Sequence, residues 1–126
     1  VMVEKMALKG QEVIVGMRRD ATFGPMLMFG MGGVMVEQIK DISFKVAPLS
    51  GEDIDDMLAS TIAGKLLAGY RGAAKGDIAA VKDVIARLSQ LGLDFPEIAE
   101  VEINPLIVYP EGQGALALDS RAILKH

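Results

Sequence analysis

The chain has 126 residues, which is the size of one domain, and its 51% hydrophobic residues suffice for a buried core. A net charge of -4, with two tyrosines and no tryptophan, argues against a nucleic-acid-binding protein, which needs a basic surface and stacking platforms. With no cysteine, disulfides and thiol chemistry are excluded, and a reducing cytoplasm is the expected compartment. Charges or glycines interrupt every apolar run before the ~20 residues of a membrane span, so no membrane partner is expected.

The first part of the chain predicts several short strands separated by turn residues. The predicted strands cover residues 1–6, 12–15, 26–29, 34–36 and 42–46. Residues 18–20 predict a polar turn, and the glycine-rich stretch 30–33 predicts a loop between two strands. Pro48 ends the last of these strands, because proline cannot donate a ladder hydrogen bond.

The middle of the chain changes to a helical pattern. Ser50 with Asp53 three residues later predicts a capping box, and Asp77 predicts the N-cap of a second helix. The apolar positions at helical spacing are Ile54, Met57, Leu58 and Ile62 in the first stretch and Ile78, Val81, Ile85 and Leu88 in the second. Gly64 is expected to interrupt the first stretch, and Gly92 is expected to end the second.

The end of the chain predicts a hairpin that brings hard oxygen ligands together. Side chains alternate along a strand, so Glu102 and Asn104 share one face. If residues 110–113 form a tight turn, Asn104 lies opposite Asp119 and Glu102 lies opposite Arg121. An amide oxygen and a carboxylate, about 5 Å apart at their Cβ atoms, suit a Mg2+ ion that takes its other ligands from water and phosphates. The alternative from the pattern alone is a structural hairpin with ordinary turn residues.

Two further sets of residues are open to a functional and a structural interpretation. Arg18 and Arg19 either neutralise phosphate charge or are solvated at a strand end. Glu4 and Glu12 lie in apolar strands, where a buried acid needs a partner or a ligand, unless the side chain points outward.

The element order predicts the fold class. Strands, two helical stretches, a closing hairpin and a last short helix from Ser120 predict an α+β fold, with a mostly antiparallel sheet packed against helices. Residues 1–126 form a single unit without a linker. The chain begins with Val1 in a strand pattern, which is the expectation for a fragment of a larger protein.

Motifs spread along the whole chain resemble those of one family. They are Glu4-Lys5-Met6, Glu12-Val13-Ile14-Val15-Gly16, Phe23-Gly24-Pro25, Phe29-Gly30-Met31-Gly32-Gly33, Arg71-Gly72, Glu102-Ile103-Asn104-Pro105-Leu106 and Asp119. In this order they resemble the C-terminal lobe of the ATP-grasp domain in NDP-forming acyl-CoA synthetases. The resemblance is greatest to the β subunit or β region of ADP-forming acetyl-CoA synthetase, with succinyl-CoA synthetase β a more distant relative. Ala21 departs from the proline common at that position.

The resemblance implies ATP/ADP and Mg2+ as cofactors and an acid-CoA ligase (ADP-forming) as the parent enzyme. It implies phosphoryl transfer between the nucleotide and a phosphohistidine on another domain. Nucleotide contacts are expected from Glu4 at the ribose and Met6 at the base, with Glu12 as a further nucleotide-binding residue. The implied magnesium ligands are Asn104 and Asp119, and the implied catalytic residue beside the phosphohistidine is Glu102.

The same resemblance implies missing partners. The family's N-terminal ATP-grasp lobe has no counterpart in this chain, so the chain is expected to start at the hinge strand and to be inactive alone. That lobe and a CoA-binding or phosphohistidine domain or subunit are the expected partners, and self-association of the uncovered face is a further expectation. The alternatives are the same module in a regulatory protein acetyltransferase fusion, and a non-catalytic α+β interaction module.

Overall fold

The computed structural model describes residues 10–32, 41–69 and 75–124. Within these residues, six strands form one sheet in which every pairing is antiparallel. The strands are β1 (Gln11–Asp20), β2 (Gly24–Met31), β3 (Ile42–Val46), β4 (Ile98–Val108), β5 (Ala115–Ala117) and β6 (Ser120–Leu124). The helices are α1 (Gly51–Ala59), α2 (Ile62–Leu67) and α3 (Ile78–Asp94). The sheet order is β3-β2-β1-β4-β5, and β6 pairs with the other half of the same edge of β4.

The helices cover one face of the sheet and form the core with it. Strand residues alternate with period two, so every second residue of β1 and β2 points at the helices. The buried core includes Val13, Val15, Met17, Leu27, Phe29, Ile54, Met57, Val81 and Ile85. None of the described helices is long and apolar enough to cross a membrane. The α+β fold with a mostly antiparallel sheet is confirmed.

The opposite face of the sheet, here called the second face, carries a different set of residues. Cross-strand pairs place Arg18 beside Glu100, and Gly16 between Met28 and Glu102. Residues that are directly opposite in neighbouring strands share one face, so these rows run together across the sheet. The second face therefore brings Arg18 of β1 together with Glu100 and Glu102 of β4.

An extra residue in β4 sets which of its side chains reach the core. Val13 pairs with Leu106 and Val15 pairs with Ile103, so Asn104 and Pro105 together lie opposite a single residue of β1. The peptide bond between Asn104 and Pro105 is cis. Because a one-residue shift moves all later side chains to the other face, this bulge corrects the alternation. The residues that it keeps on the core side are Val101, Ile103, Leu106 and Val108.

The polar turn predicted at residues 18–20 is wrong, since β1 continues to Asp20. Arg18 forms an ion pair with Glu100, at 3.7 Å. Arg19 donates to the carbonyl oxygens of Gly92, Phe95 and Ile98 at 2.7–3.1 Å. These polar side chains have partners inside the fold, so they remain in a strand, and the turn lies at residues 21–23.

The strand predictions differ from the structure mainly in length. The strand at 42–46 is confirmed, whereas β2 begins at Gly24 and includes Gly30, which was expected in a loop. Gly30 fits in the ladder because its lack of a side chain lets the Asp41 carbonyl approach. The predicted strands at 1–6 and 34–36, and the Arg71-Gly72 motif, lie outside the described residues.

The first helical stretch is two helices. The Ser50 capping box is confirmed, but α1 ends at Ala59, and Thr61 caps α2 by accepting from the Gly64 amide at 3.1 Å. Ile62 was expected in the buried stripe of the first stretch but is 54% exposed. It belongs to α2, which does not continue the helical periodicity of α1. Gly64 lies inside α2, where the absence of a side chain permits close contact with the Leu58 backbone.

The second predicted helical stretch is α3, which begins after Asp77 as expected and continues past Gly92, where it was expected to end. The Asp77 side chain accepts from the Ala80 amide at 3.1 Å, which confirms the N-cap. Gly92 does not end α3, because it lies within the helix, where a Cβ would come within 2.9 Å of the Pro25 Cβ. The short helix predicted from Ser120 is strand β6, because its residues pair with β4.

We expect Gly64→Ala to lower the free energy of unfolding by about 1–3 kcal/mol, since the new methyl group would overlap the Leu58 carbonyl oxygen. The matched control is Gly51→Ala, at a helix position with no atom within 4 Å of the new Cβ. Urea denaturation of both variants measures the difference. Equal midpoints for the two variants would contradict the close packing of α2 on α1.

The Asp53 carboxylate accepts a hydrogen bond from the Ser50 backbone amide at 2.9 Å. This bond first, and the Ser50 side chain second, lower the pKa of Asp53 from its ordinary value of 3.8. The stabilisation is therefore present above that value and is lost as pH falls through the lowered pKa. We expect Ser50→Ala to raise the pKa of Asp53 part of the way back, measured by a carboxyl NMR titration. Ser60→Ala, at the other end of α1, is the control, and an unchanged pKa in Ser50→Ala would contradict the cap.

Candidate functional site

A tight turn fixes the register of the closing hairpin. The Gln113 amide donates to the Pro110 carbonyl at 2.9 Å, and Gly112 between them has a φ of +85° that favours glycine. Glu102 pairs with Arg121 and Leu106 pairs with Ala117, so the same register holds in both halves of the hairpin. The predicted register is therefore confirmed.

Asn104 and Asp119 lie opposite each other at the interruption between β5 and β6. The Asn104 amide donates to the Asp119 carbonyl at 3.1 Å, which continues the ladder past the cis peptide. Both residues line a shallow depression of about 50 Å³, and its other lining residues are Glu102, Ser120 and Arg121. Sequence and structure thus bring the two expected magnesium ligands to one place on the second face.

The side-chain donors of this depression suit a Mg2+ ion better than a metal ion that is coordinated entirely by protein groups. It offers the Asp119 carboxylate and the Asn104 amide oxygen, which are hard oxygen donors. Mg2+ usually takes one or two carboxylates from a protein and keeps waters and phosphate oxygens as its remaining ligands. Among the described residues there is no group of three or more His, Cys, Asp or Glu side chains that would hold a metal alone. A site of this kind binds metal together with a phosphate-bearing ligand.

Glu102 lies beside the depression and is mostly buried. Its side chain is 14% exposed, and the Arg121 Nη2 atom is 3.9 Å from its Oε1 atom. A carboxylate held in this way keeps an acceptor oxygen directed at the second face. Such an acceptor is suited to orient an N–H group of an incoming ligand.

The sequence reasoning missed a charged cluster next to this depression. Glu100 forms ion pairs with Arg18 and with Arg121, at 3.7 and 3.4 Å. Its side chain is only 17% exposed, whereas both arginine side chains are more than half exposed. The signal was available in the alternation, because Glu100, Glu102 and Asn104 occupy every second position of one strand.

The remaining predicted site residues lie elsewhere or outside the described part. Glu4 and Met6 lie outside the described residues. Glu12 is the second residue of β1 and is exposed, so the outward orientation is the correct one. Its backbone carbonyl accepts from the Gly32 amide at 3.1 Å. Glu12 pairs with Ile107 on the second face, beyond the bulge at Asn104. Its role in nucleotide binding stays a prediction.

A larger depression, of about 450 Å³, lies at the β1–β2 turn and has no comparable chemistry. Its lining includes Ala21, Gly24 and Pro96. Its two charged residues already have partners, since Arg19 holds the end of α3 and Asp20 accepts from backbone amides of the turn. Binding sites combine an enclosed apolar wall with a few placed polar groups. As far as residues 10–32, 41–69 and 75–124 show, the hairpin depression has the polar groups and lacks the wall, as expected for one half of a site.

Comparison with known proteins relates the chain to ATP-grasp domains and to ADP-forming CoA ligases. A family model described as an ATP-grasp domain matches residues 1–124. The β subunit of acetate–CoA ligase [ADP-forming] I from Pyrococcus furiosus is 46% identical over 124 residues, which are 98% of this chain and 53% of that subunit. A 4-hydroxybutyrate–CoA ligase [ADP-forming] from Nitrosopumilus maritimus is 45% identical over 121 residues, which are 96% of this chain and 17% of that protein. The chain thus spans about half of the first relative and less than a fifth of the second.

A solved structure has the same fold. Acetyl-coenzyme A synthetase 1 from Ca. Korarchaeum cryptofilum matches with a TM-score of 0.85 and 47% identity, over 94% of this chain and 55% of that one. That structure is a complex with coenzyme A and Mg-AMPPCP, with its phosphohistidine segment pointing towards the nucleotide binding site. Taken with the family model, which matches nearly the whole length, this likeness shows that the chain belongs to the ATP-grasp domain family.

Proposed function

We propose that the chain is the nucleotide- and Mg2+-binding half of an ADP-forming acyl-CoA synthetase. The observation that carries the proposal is the hairpin register, which sets the Asn104 and Asp119 side chains around one depression on the second face. The similarity to a synthetase solved with Mg-AMPPCP supports it. The reaction would interconvert acyl-CoA, ADP and phosphate with acid, CoA and ATP.

The proposed roles follow from the chemistry of the side chains. Asn104 and Asp119 would hold Mg2+, which supplies charge neutralisation at the phosphate oxygens when bound. Phosphoryl transfer needs positioning and charge compensation more than covalent help from the protein. Glu102 would accept an N–H of the phosphohistidine imidazole and so orient the ring toward the transferred group.

The nucleotide contacts remain with the residues named from the sequence. We assign the ribose hydroxyls to Glu4, the base to the backbone near Met6, and a further nucleotide contact to Glu12. ATP and ADP are substrates that cells hold in the cytoplasm, which is the compartment we propose.

We propose that a partner domain or subunit completes the nucleotide site. The chain spans about half of a β subunit and under a fifth of a single-chain relative, which supports an N-terminal ATP-grasp lobe and a CoA-binding, phosphohistidine-bearing domain or subunit as partners. Phe44 and Val46 are 47% and 42% exposed on the second face, although β3 is an apolar strand. These side chains lie at the sheet edge opposite the hairpin, on the same face as the depression, and an exposed apolar surface of this kind is what a covering lobe would bury.

The acyl group is assigned only by class. Relatives named for acetate and for 4-hydroxybutyrate resemble this chain almost equally, at 46% and 45% identity. We infer that the choice of acid is made on the partner domain rather than on this lobe.

We expect the 126-residue chain to bind ADP only with Mg2+, with NMR shift changes near Asn104 and Asp119. Asp119→Asn should abolish the Mg2+-dependent part, since a neutral amide is a weaker ligand for a hard cation. Asp83→Asn, on α3 and paired with Arg87, removes the same charge away from the site and should bind as the unchanged chain does. Mg2+-dependent shifts that persist in Asp119→Asn would contradict the assigned ligand.

Glu102→Gln tests the catalytic assignment in the enzyme assembled with its phosphohistidine domain. We expect the phosphoryl-transfer rate to fall by up to about 100-fold, because the imidazole is no longer oriented by a charged acceptor. The affinity for Mg2+-bound ADP, measured by calorimetry, should stay within about twofold, since no ligand of the metal is changed. A loss of affinity with an unchanged rate would instead place Glu102 at the nucleotide.

A further inference from the structure

The charged cluster beside the depression contains more than the proposed function uses. Glu100 is mostly buried, yet it is shared by two arginines, Arg18 and Arg121. Of the described strand residues, only these two bring positive charge to the second face by their register. A carboxylate shared in this way holds the guanidinium groups in place rather than simply being neutralised.

Arg121 is the arginine that adjoins the depression. It is among the lining residues, and it follows Asp119 by two positions on the same face, which in extended chain is roughly 7 Å. Its contacts to Glu100 and Glu102 both use Nη2, and its side chain is 62% exposed. A guanidinium has five N–H donors in its plane, and the described contacts use only Nη2, so an edge with further donors lies beside the proposed metal site.

The local charge shows why such a donor matters. Glu100, Glu102 and Asp119 repel a polyanion, and ADP bound to one Mg2+ still carries net negative charge. A guanidinium is always charged and can donate two parallel hydrogen bonds to two phosphate oxygens. We propose that Arg121 binds a phosphate oxygen of the Mg2+-bound nucleotide, and that Glu100 is the positioning residue that holds Arg121 there. This rests on the proposed function.

The test uses two variants, and for the second, Glu100→Gln, the expected sign is opposite to that of a simple charge effect. Arg121→Gln should weaken binding of Mg2+-bound ADP by about tenfold or more, and should change AMP binding much less. Glu100→Gln should also weaken ADP binding, because Arg121 loses its anchor. If Glu100 acted only as a negative charge, its removal would strengthen the binding of an anion. The sign of that change therefore separates positioning from electrostatics.

Two further variants complete the experiment, with calorimetry on the 126-residue chain as the readout. Arg121→Lys keeps the charge without the planar fork and should recover part of the lost affinity. Arg87→Gln removes an equal charge from the outer face of α3 and should leave the affinity unchanged. The inference is overturned if Arg121→Gln binds as Arg87→Gln does, or if Glu100→Gln binds ADP more tightly. Failure of the unchanged chain to bind Mg2+-bound ADP would instead overturn the proposed function and this inference with it.

Discussion

The bulge at Asn104-Pro105 is the constraint on which the rest of the structure depends. Strand β4 pairs with β1 on one side and with both β5 and β6 on the other. One extra residue in β4 keeps Ile103 and Leu106 on the core side, although three positions separate them. The hairpin strand accommodates the same interruption between β5 and β6, where Asp119 lies. The sheet therefore keeps a continuous core and presents an amide and a carboxylate at a point where its ladder is irregular.

This arrangement supports the proposal that the depression is one half of a nucleotide site. A depression of about 50 Å³ cannot enclose a nucleotide, and its carboxylates disfavour one unless metal and cations compensate. The rigid strands fix the ligands and the charges, which is the part of phosphoryl transfer that a protein supplies best. Under the proposed function a partner lobe would supply the covering wall, and the exposed apolar side chains of β3 lie on the face that such a lobe would cover.

Much of the site could be predicted from the sequence because its determinants are local. A turn with Gly112 at its centre fixes the pairing of the residues in the hairpin. The cross-strand pair of Asn104 and Asp119 therefore followed from counting residues outward from the turn. The cap at Ser50 and the N-cap at Asp77 were local signals too. The errors at Arg19 and Gly92 have one cause, since both residues are defined by contacts between α3 and the β1–β2 hairpin that are distant in sequence. The alternation in β4 showed the face of Glu100, but its pairing with Arg18 depends on the β1–β4 register, which joins segments distant in sequence.

The most direct test of the central claim is paramagnetic NMR with Mn2+ and ADP on the 126-residue chain. Mn2+ replaces Mg2+ at oxygen sites and broadens the signals of nearby nuclei, so it maps the metal position. The account predicts that broadening is strongest for Asn104, Asp119 and their neighbours in β4 and β6, and weak for α1. Broadening centred on the acidic first turn of α1, or spread evenly over the surface, would contradict the assignment of the metal to the hairpin.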